Sequence, residues 1–266
     1  MDEEGGKQGH RGISYSHMMR WEQYDVANSE GRAWIKTLSK DEETGESTAL
    51  VRFDPGFRQK KTTSKWPLDM YVLEGSMHSG SASYQKSTFE YRPPGVDFGP
   101  IESPEGITRL VFRGDPKRCS KEPVFLQDIR SNRWSPAYDD PKGDGKSRGF
   151  RPLRKDAEGN FSIFMMATFQ GGWRAVPDKA HIHDHIEEAY VIEGEQEDYL
   201  GEVSGHVVWV PGFYVCREPY ESPHGDVVVL RTPVILMVRR EWVGDETKIR
   251  DQDWKKFDVP VVEFAE

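Results

Sequence analysis

One six-residue pattern occurs twice, and its recurrence constrains the fold more than any other feature of the chain. Met70-Tyr-Val-Leu-Glu-Gly75 and Ala189-Tyr-Val-Ile-Glu-Gly194 are short apolar runs, each followed by Glu and a glycine. Runs of this length and composition, closed by a turn residue, read as β-strands. Their surroundings repeat too. Residues 32–38 and 47–53 form a strand pair ahead of the first string, separated by a charged turn at 40–45 and closed by Asp54-Pro-Gly56. Residues 90–95 and 107–112 follow it. The order recurs in the second half as 162–169, the second string, 207–210, 213–217, 227–230 and 233–238. Even the lead-ins agree, Arg20-Trp21 with Tyr24-Asp25 and Arg133-Trp134 with Tyr138-Asp139. The repeat is about 115–126 residues long. It implies two tandem all-β domains, 13–130 and 131–266, with the Pro-, Gly-, Asp- and Lys-rich stretch 135–149 as a linker or long loop. No long helix is predicted. Residues 1–12 lack apolar periodicity and read as a mobile tail, and 251–266 are expected to add a short helix or strand.

A chain of 266 residues suffices for two modest hydrophobic cores. Its formal net charge is −9, opposite in sign to the basic footprint that nucleic acid requires, and it disfavours an anionic membrane surface. Mean hydropathy is −0.74 and 30% of residues are charged, so large solvated faces or loops are expected. The longest apolar runs, such as 227–230, are far too short to span a bilayer. The first residues carry no basic-then-apolar secretion pattern, and two cysteines, Cys119 and Cys216, make no disulfide framework. A reducing cytoplasm is the expected compartment.

Five of the eight histidines fall between His181 and His224. Imidazole is the commonest side-chain metal ligand. His181 and His183 are two apart, which on a strand puts both rings on one face. Glu187 shares their parity, and a turn between His183 and Glu187 would bring its carboxylate back to the same point. His224, in Pro219-Tyr-Glu-Ser-Pro-His224, is the candidate fourth ligand from a later strand. Three neutral imidazoles and one carboxylate suit a divalent transition metal such as iron, manganese, nickel, copper or zinc. A histidine-rich surface loop without metal is the alternative.

These residues fill the pattern His-x-His-x3-Glu-x6-Gly at His181, His183, Glu187 and Gly194, followed by Pro219 and His224 five positions apart. Together they resemble the two motifs of the cupin superfamily, whose fold is a small antiparallel β-barrel. With its repeat, the chain is similar to a bicupin of two tandem double-stranded β-helix (jelly-roll) barrels. The second motif departs at Glu221, where the family usually has glycine. Aligning Gly75 with Gly194 places Thr62, Ser64 and Leu68 at the first three ligand positions and Phe98 at the last; a competing register pairs Glu105 with His224. Two hydroxyls and a leucine do not hold a metal. The first barrel is therefore expected to be metal-free and to shield an edge of the second. The Arg92-Pro-Pro-Gly95 turn and Ser103-Pro-Glu-Gly106 most resemble the ChrR-like group of cupins.

The resemblance implies four protein ligands with open positions for a small-molecule substrate and for water or dioxygen. Iron-dependent dioxygenase chemistry on a small oxygenated substrate is the first expectation. Non-redox lyase, isomerase or hydrolase chemistry on a sugar acid or keto acid is the second, and a non-catalytic small-molecule sensor or binding protein the third. Fold does not choose among them. Tyr214, Cys216 and Glu218 share parity, and in the family's second-motif strand those positions tend to face the barrel interior. Glu218 reads as a general base or as a rim carboxylate in a salt bridge. Cys216 reads as a small buried residue or a thiol at the substrate, and Tyr214 as lining the mouth. Arg217 either grips a substrate carboxylate with its fork or pairs on the outside of the barrel. Asp184 and His185 are expected in the turn after the ligands, either exposed to solvent or backing the ligand side chains. Tyr190, matched by Tyr71 in the metal-free half, is expected to pack. The resemblance also implies a homodimer.

Overall fold

The computed structural model describes residues 12–130, 134–137, 147–157, 161–169, 185–200, 205–218 and 228–242. Among them the architecture is all-β, the only helical element being the 3-10 turn Ser16–Met18. Among the described residues, no helix is long and apolar enough to cross a membrane. The chain divides into two compact units.

The first unit is organised by Leu68–Ser79, a strand of 12 residues. Its first half pairs antiparallel with Ile107–Arg113 on one side and with Phe89–Arg92 on the other. Its second half pairs with Ala82–Gln85 and Ile101–Ser103. Ser47–Phe53 and then Ala33–Lys40 continue the sheet beyond Ile107–Arg113. Both faces of the sheet are covered, with Leu110 and Phe112 buried on the outer one; the other face turns into the barrel. That face carries Ala33, Ala49, Val51, Phe53, Met70 and Val72, packed on Phe57, Met77, Tyr84, Phe98 and Ile101.

The second unit repeats the order. Arg148–Lys155, Phe161–Thr168, Val234–Trp242, His185–Glu193 and Phe213–Arg217 are successive neighbours. They correspond in turn to Ala33–Lys40, Ser47–Phe53, Ile107–Arg113, Leu68–Ser79 and Phe89–Arg92. Facing them is a three-stranded sheet of Gly205–Trp209, Gln196–Leu200 and Val228–Leu230. Phe164, Ala189, Val191, Phe213, Val215 and Val238 close the core against Trp209 of that sheet.

The two glycines that end the repeated pattern occupy the same structural position. Gly75 has φ +75° and Gly194 has φ +90°. Each sits beside a slip in register, at Thr108/Arg109 and at Val191/Glu193. A side chain at either would collide with backbone, that of Gly106-Ile107 or of Pro233-Val234. Only glycine combines a left-handed conformation with that close approach.

One expectation needs correction. The stretch 135–149 is not all linker: Ser135–Pro136 pairs with the strand Arg148–Lys155, through Ser135 with Phe150 and Pro136 with Gly149. Residues 138–146 lie outside the described ones. By contacts, each unit also takes in a short segment from the other half of the chain. Gly12–Tyr15 is a strand paired along Phe213–Arg217 and belongs to the second unit, while Leu153–Phe161 belongs to the first. Both exceptions are set by long-range pairing, on which local composition is silent. Arg154 shows this, holding Asp69 at 2.7 Å and 3.0 Å and lying over the Tyr91 ring.

Candidate functional site

Glu187 is the described member of the expected ligand set. It lies near the start of His185–Glu193, directly opposite Arg217 on one neighbour and Arg240 on the other. Residues opposite in an antiparallel ladder share a face. Glu187, Arg217 and Arg240 therefore project on the same side as Ala189, Val191, Val215 and Val238, toward Trp209 and the second sheet. Glu187 is buried, and so is Arg217. Arg217 Nη1 donates to Oε1 at 3.4 Å, and Arg240 Nε and Nη2 donate to Oε2 at 3.3 Å and 3.2 Å. Two guanidinium groups favour the ionised carboxylate. The contacts are longer than the 2.7–2.9 Å typical of a charge-assisted bond, so the carboxylate is steadied without being clamped.

Arg217 is the hub of this face. Its guanidinium lies 5.5 Å from the Trp209 ring, which stacks on Phe213, and 3.9 Å from Asp198 Oδ2. It points inward, correcting the reading that pairs it on the barrel exterior. His185, expected in the turn after the ligands, is buried in the strand and shares Glu187's face two residues away. Parity from Glu187 is the signal that identifies it.

Tyr214 and Cys216 stand opposite Tyr190 and Glu188, so they project from the other face of the sheet. The expectation that they look into the barrel with the ligands is reversed here: strand alternation gives the interior to Phe213, Val215 and Arg217. Glu218 follows the strand with the parity of Cys216. Burial first, and then the Glu188 and Glu218 carboxylates, push the Cys216 thiol well above its ordinary range, so it stays protonated. Glu188 is tied to Arg239 by a buried 3.0 Å bond. Tyr190 and Tyr71 are both buried, in keeping with packing.

His181, His183 and His224 lie outside the described residues. Among the described residues no three potential ligands converge. A buried carboxylate facing inward, preceded in the sequence by two histidines at alternate positions, fits a divalent transition metal. At the corresponding place in the first unit Leu68 has no donor atom, and Thr62 pairs with Phe98.

Residues 15–116 match the ChrR cupin-like domain family. No curated protein matches the sequence. Several solved structures share the fold. A provisionally assigned dioxygenase from Nostoc punctiforme superposes with TM-score 0.69 at 17% identity, covering 88% of this chain and 83% of its own. A provisionally assigned glyoxylate-induced protein from Pseudomonas aeruginosa gives 0.64 at 13% identity, with 94% of both chains covered. Protein Ylba from E. coli gives 0.58 at 12% identity, covering 88% of this chain and 92% of its own. At these identities the likeness is one of fold.

Proposed function

We propose that the chain, whose residues 15–116 match the ChrR cupin-like domain family and whose fold is shared with solved structures at low identity, is a cupin whose second barrel is a mononuclear metal centre acting on a small oxygenated organic substrate as an iron-dependent dioxygenase. His181, His183, Glu187 and His224 would hold the metal. When bound, a ferrous ion there supplies a redox-active Lewis acid with open positions for substrate and dioxygen.

The observation that carries the reading is the inward placement of Glu187 between Arg217 and Arg240. The two arginines donate to both carboxylate oxygens and orient them. The core of Phe164, Val191, Val215 and Trp209 excludes water beside it. Arg217 also provides the interior fork for an anionic substrate oxygen, the role the reading gives it in place of Tyr214, Cys216 or Glu218. The provisionally assigned dioxygenase from Nostoc punctiforme, which shares the fold at 17% identity, supports the dioxygenase class.

Elemental analysis of purified protein, followed by dioxygen uptake under ferrous iron, tests the proposal. The panel is β-diketones, hydroxyketones and catechol-like acids. One equivalent of metal, lost in His181→Ala and Glu187→Ala, with substrate-dependent uptake is the expected result. Fully iron-loaded protein that consumes no dioxygen with any of them would falsify the dioxygenase reading. Turnover retained without air on zinc or manganese would replace it with lyase or isomerase chemistry.

A further inference from the structure

The first barrel lacks the ligand set, yet its interior is not that of an inert packing partner. On its inward face Arg92 stands opposite Leu68. By the matched ladders this is the position of Arg217 opposite Glu187. Glu90 stands where the second barrel has Val215, and Arg109, opposite Val72, where it has Leu236 opposite Val191. Three charged side chains thus occupy the core of the barrel that was expected to be degenerate.

Their bonding is unbalanced. Glu90 accepts from Tyr84 Oη at 3.0 Å and from Arg92 Nη2 at 2.7 Å, so its charge is committed to Arg92. Arg109 has no carboxylate within salt-bridge distance among the described residues. Its Nη1 meets only thioethers, Met70 Sδ at 3.4 Å and Met77 Sδ at 3.9 Å. Sulfur is a weak acceptor. Both arginines are at least nine-tenths buried, and both leave Nε without a partner. Arg92 lies over Phe98 and Arg109 over Phe53, so aromatic rings hold the flat faces while the donor edges stay available. The two guanidinium groups reach the same Met70 sulfur. Burial first, and then Arg92, push the Arg109 pKa down to about 10, which still leaves it charged at neutral pH.

A buried guanidinium with no ion pair among the described residues, beside a second one with a spare donor, calls for an anion. We propose that the first barrel is a binding site for one small carboxylate, gripped by Arg109 and the Nε edge of Arg92. Its apolar body would lie among Met70, Met77 and Phe53. Carboxylate is the class because two guanidinium edges match its paired oxygens and the surrounding thioethers and rings suit a hydrocarbon remainder. The site needs no metal, and it stands or falls separately from the second barrel.

The test is isothermal titration of the full chain, after chelator treatment, with acetate and butyrate in chloride buffer of constant ionic strength. Wild type is expected to bind one equivalent, butyrate tighter than acetate. Arg109→Met, which continues the thioether lining, is expected to weaken binding at least tenfold. Glu90→Gln removes the competing carboxylate and is expected to tighten it several-fold. Absence of binding to wild type, or equal affinity in wild type and Arg109→Met, overturns the proposal. Should Arg109→Met not fold, Glu90→Gln decides alone: tighter binding supports the site, and unchanged or weaker binding refutes it.

Discussion

Replacing Gly75 by alanine isolates the geometry on which the first barrel's curl depends. The residue has φ +75°, a conformation that costs an L-amino acid about 1–2 kcal/mol. The new Cβ would also lie 2.9 Å from the Gly106 carbonyl carbon and from Ile107 Cα, and closer still to the carbonyl oxygen. That oxygen is held by the Ser76 amide at 3.0 Å, so the strand has little room to yield. Forcing a methyl into a packed position adds about 1–3 kcal/mol. The sum is about 2–5 kcal/mol of lost stability. Gly95→Ala supplies the control, because Gly95 has φ +79° and a methyl added there would meet nothing within 4 Å. It should lose only the conformational part, about 1–2 kcal/mol. Equilibrium urea unfolding of the two variants and wild type measures the difference. If Gly75→Ala costs no more than Gly95→Ala, the close approach is not what demands glycine there.

Further measurements test other parts of the structure. Gly194→Ala, whose methyl would come within 2.7 Å of Val234 Cα and the Pro233 carbonyl carbon, should show the same excess in the second barrel. Cys216 should resist a thiol reagent at mildly alkaline pH while the partly exposed Cys119 reacts, so Cys119→Ser removes the native signal and urea restores one equivalent. Burial raises Tyr84 and Tyr91 above their ordinary value of 10.0, so the folded chain keeps protons that the unfolded chain loses. Their contribution is intact below pH 10.0 and is lost as pH rises toward the folded values, and Tyr91→Phe should flatten the fall in urea midpoint above about pH 10. Glu188→Ala should cost about 3–5 kcal/mol in urea unfolding by taking its buried ion-pair carboxylate from Arg239, and adding Arg239→Met should recover part of it.

Much of the fold was legible because it rests on local chemistry. Ser47–Phe53 and Phe213–Arg217 coincide with the strands read from composition, since short apolar runs bounded by turn residues have few other solutions. The paired strings ending at Gly75 and Gly194 announced a duplicated topology, which the matching strand orders reproduce. Gly12–Tyr15 was not legible. Four residues with two exposed and two half-buried positions carry no strand pattern of their own, and their ladder partners lie some two hundred residues away.

The sequence by itself determined the all-β class, the duplication, and the histidine and glutamate spacing that resembles a cupin metal site, because each is a matter of residue type and interval. Which side of a strand a residue takes was decided only by tertiary pairing. Counting parity along residues 214–218 groups Tyr214, Cys216 and Glu218 correctly but leaves open which set looks inward. The ladder between Glu187 and Arg217 settles that in favour of Arg217, and one residue of offset reverses the whole assignment. The same holds for Glu90, Arg92 and Arg109. Their charges are visible in the chain, but their convergence on one buried face comes from strands that pair only after the sheet has curled.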